Sequence, residues 1–593
     1  MDKYLREWRQ KAQDMNQHEA ASFVGDKLVA LSASPDDVYA LAQSYVAQGH
    51  FSRAQSLLAT KGVVEHSSAC KYLAALCLLK QHKYEEALHL LGDSNPVHLI
   101  SDPNNPRRKL RHGGTAARAT RIDQSEERDR TDPKAEAGMC FLRGQCYVKN
   151  NAFDKAKECF KIAVRIDVQC YEAFDALMKN ALLSSDEEWD FLDSLDFDSI
   201  TVGDGRNQDE NQEAAQFTRL LYSTRLSKYS HPTETIEAVE TLSTHYKLAH
   251  NADIMLARAS LLFTQCRFRD ALQATTAILE ADPDNIPAMP VHVACLHELG
   301  EKNSLHILAH TLAESHPNEP VTYLAIGVYY LTINQISEAR RFFSKSSTMD
   351  PHFGPAWIGF AHTFAAEGEH DQAISAYSTA LRLFQGTHLP NLFMGMQNLA
   401  LGNLRLAKEY LRVAWTLCKT DPLLINELGV VAYHENDLTA AIDAFTRALQ
   451  MATALNSDPH AWLPTRTNLA HALRRARRYA EAHDVFVQVL QEGGRDCAVF
   501  SALGLTCLEL GDLNGAIRAL HEALAVNPQD AVATDLLARA MEFWGEGEEE
   551  VDEGGEREAD ARIAEVANTV RKQAQETRRR SGRVKRQART SGT

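Results

Sequence analysis

A period of 34 residues constrains this chain more than any other feature. A small residue in the middle of one helix recurs as Ala259, Val293, Gly327, Ala361, Gly395 and Gly429, five consecutive intervals of 34. After one insertion the series resumes at Ala470 and Gly504, again 34 apart. Twelve residues after each stands a second slot, mostly small: Ala271, Leu305, Ala339, Ala373, Ala407, Ala441, Ala482 and Ala516. Four further on, most repeats place a larger residue: Phe343, Tyr377, Leu411, Phe445, Phe486 or Leu520. Pro283, Pro317, Pro351 and Pro528 close four of the repeats at one shared position.

The pattern has a physical cause. Two antiparallel helices approach closely only where small residues face one another, and the large residue fills the hole between successive pairs. Proline ends the second helix because it lacks an N–H and clashes with the preceding turn. A 34-residue period with these slots predicts an all-α tetratricopeptide-repeat (TPR) superhelical solenoid. Length agrees, because 593 residues exceed a single core of roughly 250–300, whereas a repeat array grows along one dimension. Looser copies precede the regular ones, with Ala42, Tyr45, Ala54 and Leu58, then Ala75, Leu78, Ala87 and Leu91, then Gly144, Tyr147, Ala156, Phe160 and Ala163 in the slots. The array is expected from about Val38 to about Asp530.

Composition shifts divide the chain. TPR-like repeats occupy 1–92, and an insertion rich in Pro, Gly and charge, expected to be disordered, occupies 93–134. A further TPR pair lies at 135–183, followed by an acidic connector at 184–214, expected to be irregular while packing Trp189, Phe191, Leu192 and Phe197 onto the repeats. Repeats run continuously over 215–530, with a short insertion at Met451–Pro464, and a solvating cap helix is expected at 531–545. The tail, 546–593, carries eight acids in Glu546–Glu558 and nine Lys or Arg in Arg571–Arg589. Such charge blocks are normally solvated and disordered.

Chemistry is hard to find. No phosphate-binding glycine loop, H-E-x-x-H, C-x-x-C or G-x-S-x-G occurs. The 24 histidines do not cluster at metal-ligand spacing. His362, His388 and His471 therefore read as structural or partner-contact residues. No enzyme activity, cofactor or metal is expected. A net charge of −16 argues against nucleic acid. No run of 18 apolar residues predicts a membrane span, and the polar first twenty residues predict no secretory leader. Eleven scattered cysteines, several in apolar helical stretches, fit a reducing compartment, cytosol or nucleus.

A TPR array offers instead the groove lined by its first helices. In this register the groove positions lie six and three residues before the small slot and one and four after it. They select Leu389, Leu392, Met396 and Leu399, then Leu423, Asn426, Val430 and Tyr433, then Pro464, Thr467, His471 and Arg474, with Asn468 at the border. An apolar strip followed by Asn, Tyr, His and Arg suits an amphipathic peptide.

One stretch is more specific than the slots. GPAWI (Gly354–Ile358), EHDQA (Glu369–Ala373) and G-x-H-L-P (Gly386–Pro390) stand in register. Together with HPNEPVTYLAIGVYYL, NELGVVAYHENDLTAAI, KYLAALCLL, CFLRGQCY and CYEAFDALM, they resemble the TPR scaffold subunit six of the anaphase-promoting complex, the cell division cycle protein sixteen family. The resemblance spans about residues 1–530; the charged tail departs from it. It implies a non-catalytic subunit of a multisubunit ubiquitin ligase controlling mitosis, in nucleus and cytoplasm. It further implies a V-shaped homodimer through the N-terminal repeats, stacking against other TPR subunits, and a small accessory subunit's peptide in the C-terminal groove. The alternative is a free-standing TPR adaptor or co-chaperone that clamps a carboxylate, for which Asn426, Asn468 and Arg474 are a partial match.

Overall fold

The computed structural model describes residues 1–546 apart from 33, 66, 93, 97–98, 101–132, 203–206 and 494–495. Most of the expected insertion and nearly all of the charged tail thus lie outside the described residues. Among the described residues there are 29 α-helices, no strand, and no helix long and apolar enough to cross a membrane.

The slots pack as the period predicts. Phe343, on the helix Ile336–Met349, is fully buried. A methyl group placed on Gly327 would come within 2.8 Å of its ring, and one on Gly359 of the next repeat within 2.7 Å. The ring is therefore wedged between two helix pairs. Gly429 stands the same way over Phe445, and Gly504 over Leu520.

A second periodic feature escaped the sequence reading. Seven residues after each slot the chain turns through the left-handed region: Cys266 (φ 57°), Gly300, Asn334, Gly368, Gly402, Asn436, Arg477 (φ 61°) and Gly511. The next amide closes back onto the first helix, as Gln335 N–H does onto the Tyr330 carbonyl at 2.9 Å. This is the Schellman ending that Gly and Asn favour.

The chain divides into two compact units. One comprises Met1–Thr264, Phe268–Leu401 and Arg412–Thr420. It opens with a helix pair that the period does not reveal, Asp2–Asp14 and His18–Ser32. Asp37, on the following helix, ties this pair down: it accepts from Arg6 Nη2 at 2.7 Å, Arg9 Nη1 at 2.9 Å and Ser32 Oγ at 2.8 Å. Burial opposes the Asp37 charge, but the Arg6, Ser32 and Arg9 bonds prevail and hold its pKa down to about 2. The acidic segment expected as irregular carries a helix, Ser185–Asp193, opened by a capping box of Ser184 and Glu187. Three of its five acids, Asp186, Glu187 and Glu188, lie in the first turn, where the helix dipole favours negative charge. Phe191, Leu192 and Phe197 enter one core with Phe160, Phe174 and Tyr222, as expected of an apolar segment among acids.

The other unit comprises Gln265–Arg267, Gly402–Leu411 and the chain from Asp421 onward. Its helix pairs are Pro422–His434 with Leu438–Ala454, Leu463–Arg475 with Tyr479–Gln491, and Cys497–Glu509 with Leu513–Val526. The insertion lengthens Leu438–Ala454 and adds a short turn, Pro459–Trp462, whose Trp462 is buried. The last helix, Ala531–Glu546, buries Ala533, Leu536 and Ala540.

Candidate partner groove

Within the first unit, the helix Leu389–Ala400 carries four of the selected residues, Leu399 among them half-buried. Leu389 and Met396 are half-buried, but Leu392 is fully buried. Leu392 is thus a core residue rather than a groove contact, because the residue three before the slot turns inward here. The half-buried wall of this unit is lined by His362, whose Nδ1 lies 2.5 Å from the Tyr377 hydroxyl and whose ring stands edge-on to Phe393 at 4.8 Å. Burial lowers the His362 pKa to about 4, so it is a neutral acceptor or donor at physiological pH. His388 is buried edge-on to Tyr229 at 4.7 Å.

The geometry also explains the specific motifs. Gly386 donates its N–H to the Ala181 carbonyl at 2.7 Å, and a methyl group there would fall 1.9 Å from the Leu183 carbonyl oxygen. Only glycine permits that backbone-on-backbone contact. Trp357 of GPAWI donates Nε1–H to the Pro351 carbonyl at 2.9 Å. His370 of EHDQA meets Gln397 Oε1 at 2.8 Å.

Within the second unit, Val430, Tyr433 and His471 are half-buried, as are Asn468 and Arg474. Val430 and Tyr433 pack against a core of Ala441, Phe445 and Ala472. Arg475 lies 4.8 Å over the Tyr433 ring and bonds its carbonyl. His471 stands edge-on to Phe486 at 5.2 Å, and burial, aided by Arg474, lowers its pKa to about 4. Asn426 is buried, which corrects its assignment as an open groove residue. Asn468 Nδ2 donates to Asn426 Oδ1 at 3.3 Å, and Asn426 Nδ2 donates to Glu427 Oε1 at 2.9 Å. Burial raises the Glu427 pKa to about 7 despite that bond. The sequence reading passed over Glu427; its only signal was an acid inside the apolar run LLINELGVV. An acid bonded to Asn426, which in turn accepts from Asn468, suits a carboxylate ligand poorly, because ionised Glu427 would repel it.

Helix pairs with close-packed small slots at a 34-residue period define a tetratricopeptide-repeat protein. Tetratricopeptide-repeat profiles match residues 137–169 and 421–491, and a profile described as "Anaphase-promoting complex, cyclosome, subunit 3" matches 14–94. The chain is 46% identical over 539 residues to anaphase-promoting complex subunit cut9 of Schizosaccharomyces pombe, covering 91% of this chain and 76% of that protein. It is 35% identical over 545 residues to anaphase-promoting complex subunit CDC16 of Saccharomyces cerevisiae, covering 91% of this chain and 62% of that one. Its fold matches the crystal structure of the APC/C hetero-tetramer Cut9–Hcn1 with a TM-score of 0.75 and 45% identity, covering 91% of this chain and 96% of that chain. The chain belongs to the Cut9/CDC16 family, subunit six of the anaphase-promoting complex.

Proposed function

We propose that this protein is a non-catalytic scaffold of the anaphase-promoting complex, in nucleus and cytoplasm, supporting ubiquitination of cell-cycle proteins. The supporting observation is the match in sequence and fold, over 91% of the chain, to Cut9 as solved in its hetero-tetramer with Hcn1. The same reading assigns the chain a small accessory subunit's peptide, held against Val430, Tyr433, His471, Asn468 and Arg474. It also assigns pairing with a second copy through the first helices. Supporting that contact, Tyr4 and Trp8 lie one turn apart on Asp2–Asp14 with Met1 and Met15 flanking its two ends, and all four are exposed, as are Phe23 and Leu31 on the next helix. Apolar side chains gathered this way mark an interaction surface.

Native mass spectrometry of the protein purified from its own cells tests the whole reading. An assembly with two copies of this chain, a small accessory protein and a cullin-like subunit is expected. A lone chain, or one carrying only a chaperone, would move the assignment to a free adaptor. Tyr4→Asp with Trp8→Asp should shift the purified protein from dimer to monomer by light scattering while leaving its helical circular dichroism unchanged. A dimer that survives both changes would place the contact elsewhere.

A further inference from the structure

Among the described residues, the last helix, Ala531–Glu546, stands in the place of a first helix with no second helix after it. Its slot falls at Ala538, 34 residues after Gly504. In the repeats before it, Gly429, Ala470 and Gly504 are buried, and Phe445 and Leu520 cover the two glycines. Ala538 is exposed. So are Ala531, Thr534 and Met541, which continue the same stripe at helical spacing. Met541 is 60% exposed and Phe543 42%, and Val526, closing the preceding helix, is 50% exposed. A solvating cap would carry charged residues on this stripe; here Ala531, Ala538 and Met541, with Thr534 the one polar member, stand where a second helix packs in the regular repeats.

The chain runs on for 47 residues beyond Glu546. A second helix in this array is marked by a small residue, a large one four later and a small or apolar one seven later, as in Ala516, Leu520 and Ala523. The same spacing occurs once the acidic run ends, at Ala559, Ile563 and Val566, with Val570 one turn further. Asp560, Arg562 and Glu565 fall between these positions, so the stripe is amphipathic at helical period. The twelve residues from Gly547 to Glu558 link the two stretches. At roughly 3.3 Å per extended residue they easily span the turn between antiparallel neighbours.

We propose that residues 559–570 dock on the Ala531–Thr534–Ala538–Met541 face as the missing second helix of a final repeat. The docked segment covers the apolar end of the array and fixes the origin of the basic run Arg571–Arg589 beside it. The acidic run is then the loop of that repeat, its charge keeping it in water. This inference is independent of the proposed function.

Hydrogen exchange on the full-length chain, read by mass spectrometry, tests it. Amides of 559–570 should exchange at least about tenfold more slowly than a random coil. Ile563→Asp with Val566→Asp should abolish that protection and speed exchange in 531–546. Ala538→Arg approaches from the other side: the position is exposed, so the helix should survive while protection of 559–570 is lost. Coil-rate exchange in 559–570, with 531–546 indifferent to the Ile563 and Val566 changes, overturns the proposal. Protection that fades on dilution also overturns it and assigns the face to a second copy. Protection found only in the assembled complex assigns it to a neighbouring subunit.

Discussion

Phe343 shows how much one side chain supports in a repeat array. Its ring fills the space between Gly327 and Gly359, on helices of successive repeats. Phe343→Ala should therefore cost about 3–5 kcal/mol in denaturant unfolding; an unchanged midpoint would undo the register. Arg477 makes the opposite case. It occupies a left-handed turn position that Gly or Asn fills in most repeats, at a conformational cost of about 1–2 kcal/mol for an ordinary residue. Arg477→Gly should gain about 0.5–1 kcal/mol after the extra chain entropy of glycine, seen as a higher denaturant midpoint. Glu427 holds its proton up to about pH 7 when folded but only to about 4.5 when unfolded. Between those values the folded state binds the extra proton, so stability falls as pH rises, then levels off above about 7. Glu427→Gln should flatten that slope, measured as denaturant midpoint against pH. Slots that recur every 34 residues were legible in the sequence. A single buried carboxyl was not, because one acid among apolar neighbours carries no period.

At the scale of helices, legibility followed regularity. The regular repeats from Ala252 onward pair as their spacing predicts. The opening pair, Asp2–Asp14 and His18–Ser32, lies in the region expected to be repeat-like but shows no slots, because Trp8, Phe23 and Leu31 point to solvent and its tie to Asp37 is ionic. The helix Ser185–Asp193 was missed for a related reason: its capping box and acidic first turn look like loop chemistry until Phe191 and Leu192 are seen to enter a core. Along the groove register the depth of burial varies. One residue after the slot, Met396, Val430 and His471 are half-buried; three before it Leu392 and Asn426 turn inward while Thr467 stays half-buried. Spacing fixes which helix face a residue occupies, but the rotation of each helix against its neighbour decides how deep that face lies. Leu392→Asp would accordingly bury a carboxylate and damage the fold rather than the groove.

Across the whole molecule, helix pairs touch mainly their sequence neighbours, and such an array would ordinarily lose its repeats one at a time. The first unit departs from that scheme. Gly386 is bonded to Ala181, and Thr420 Oγ1 donates to the Tyr229 carbonyl, 191 residues away along the chain. Closing so long a loop has an entropic cost that falls before the contacts form, so these ties should form late in folding and slow it. Once made, they convert a row of separable modules into a closed ring of dependencies. Pulled from its ends, the first unit should give way in one large extension step, and Gly386→Ala should split that step into several smaller ones in single-molecule force traces. A scaffold tied to itself in this way transmits load between distant repeats instead of shedding them.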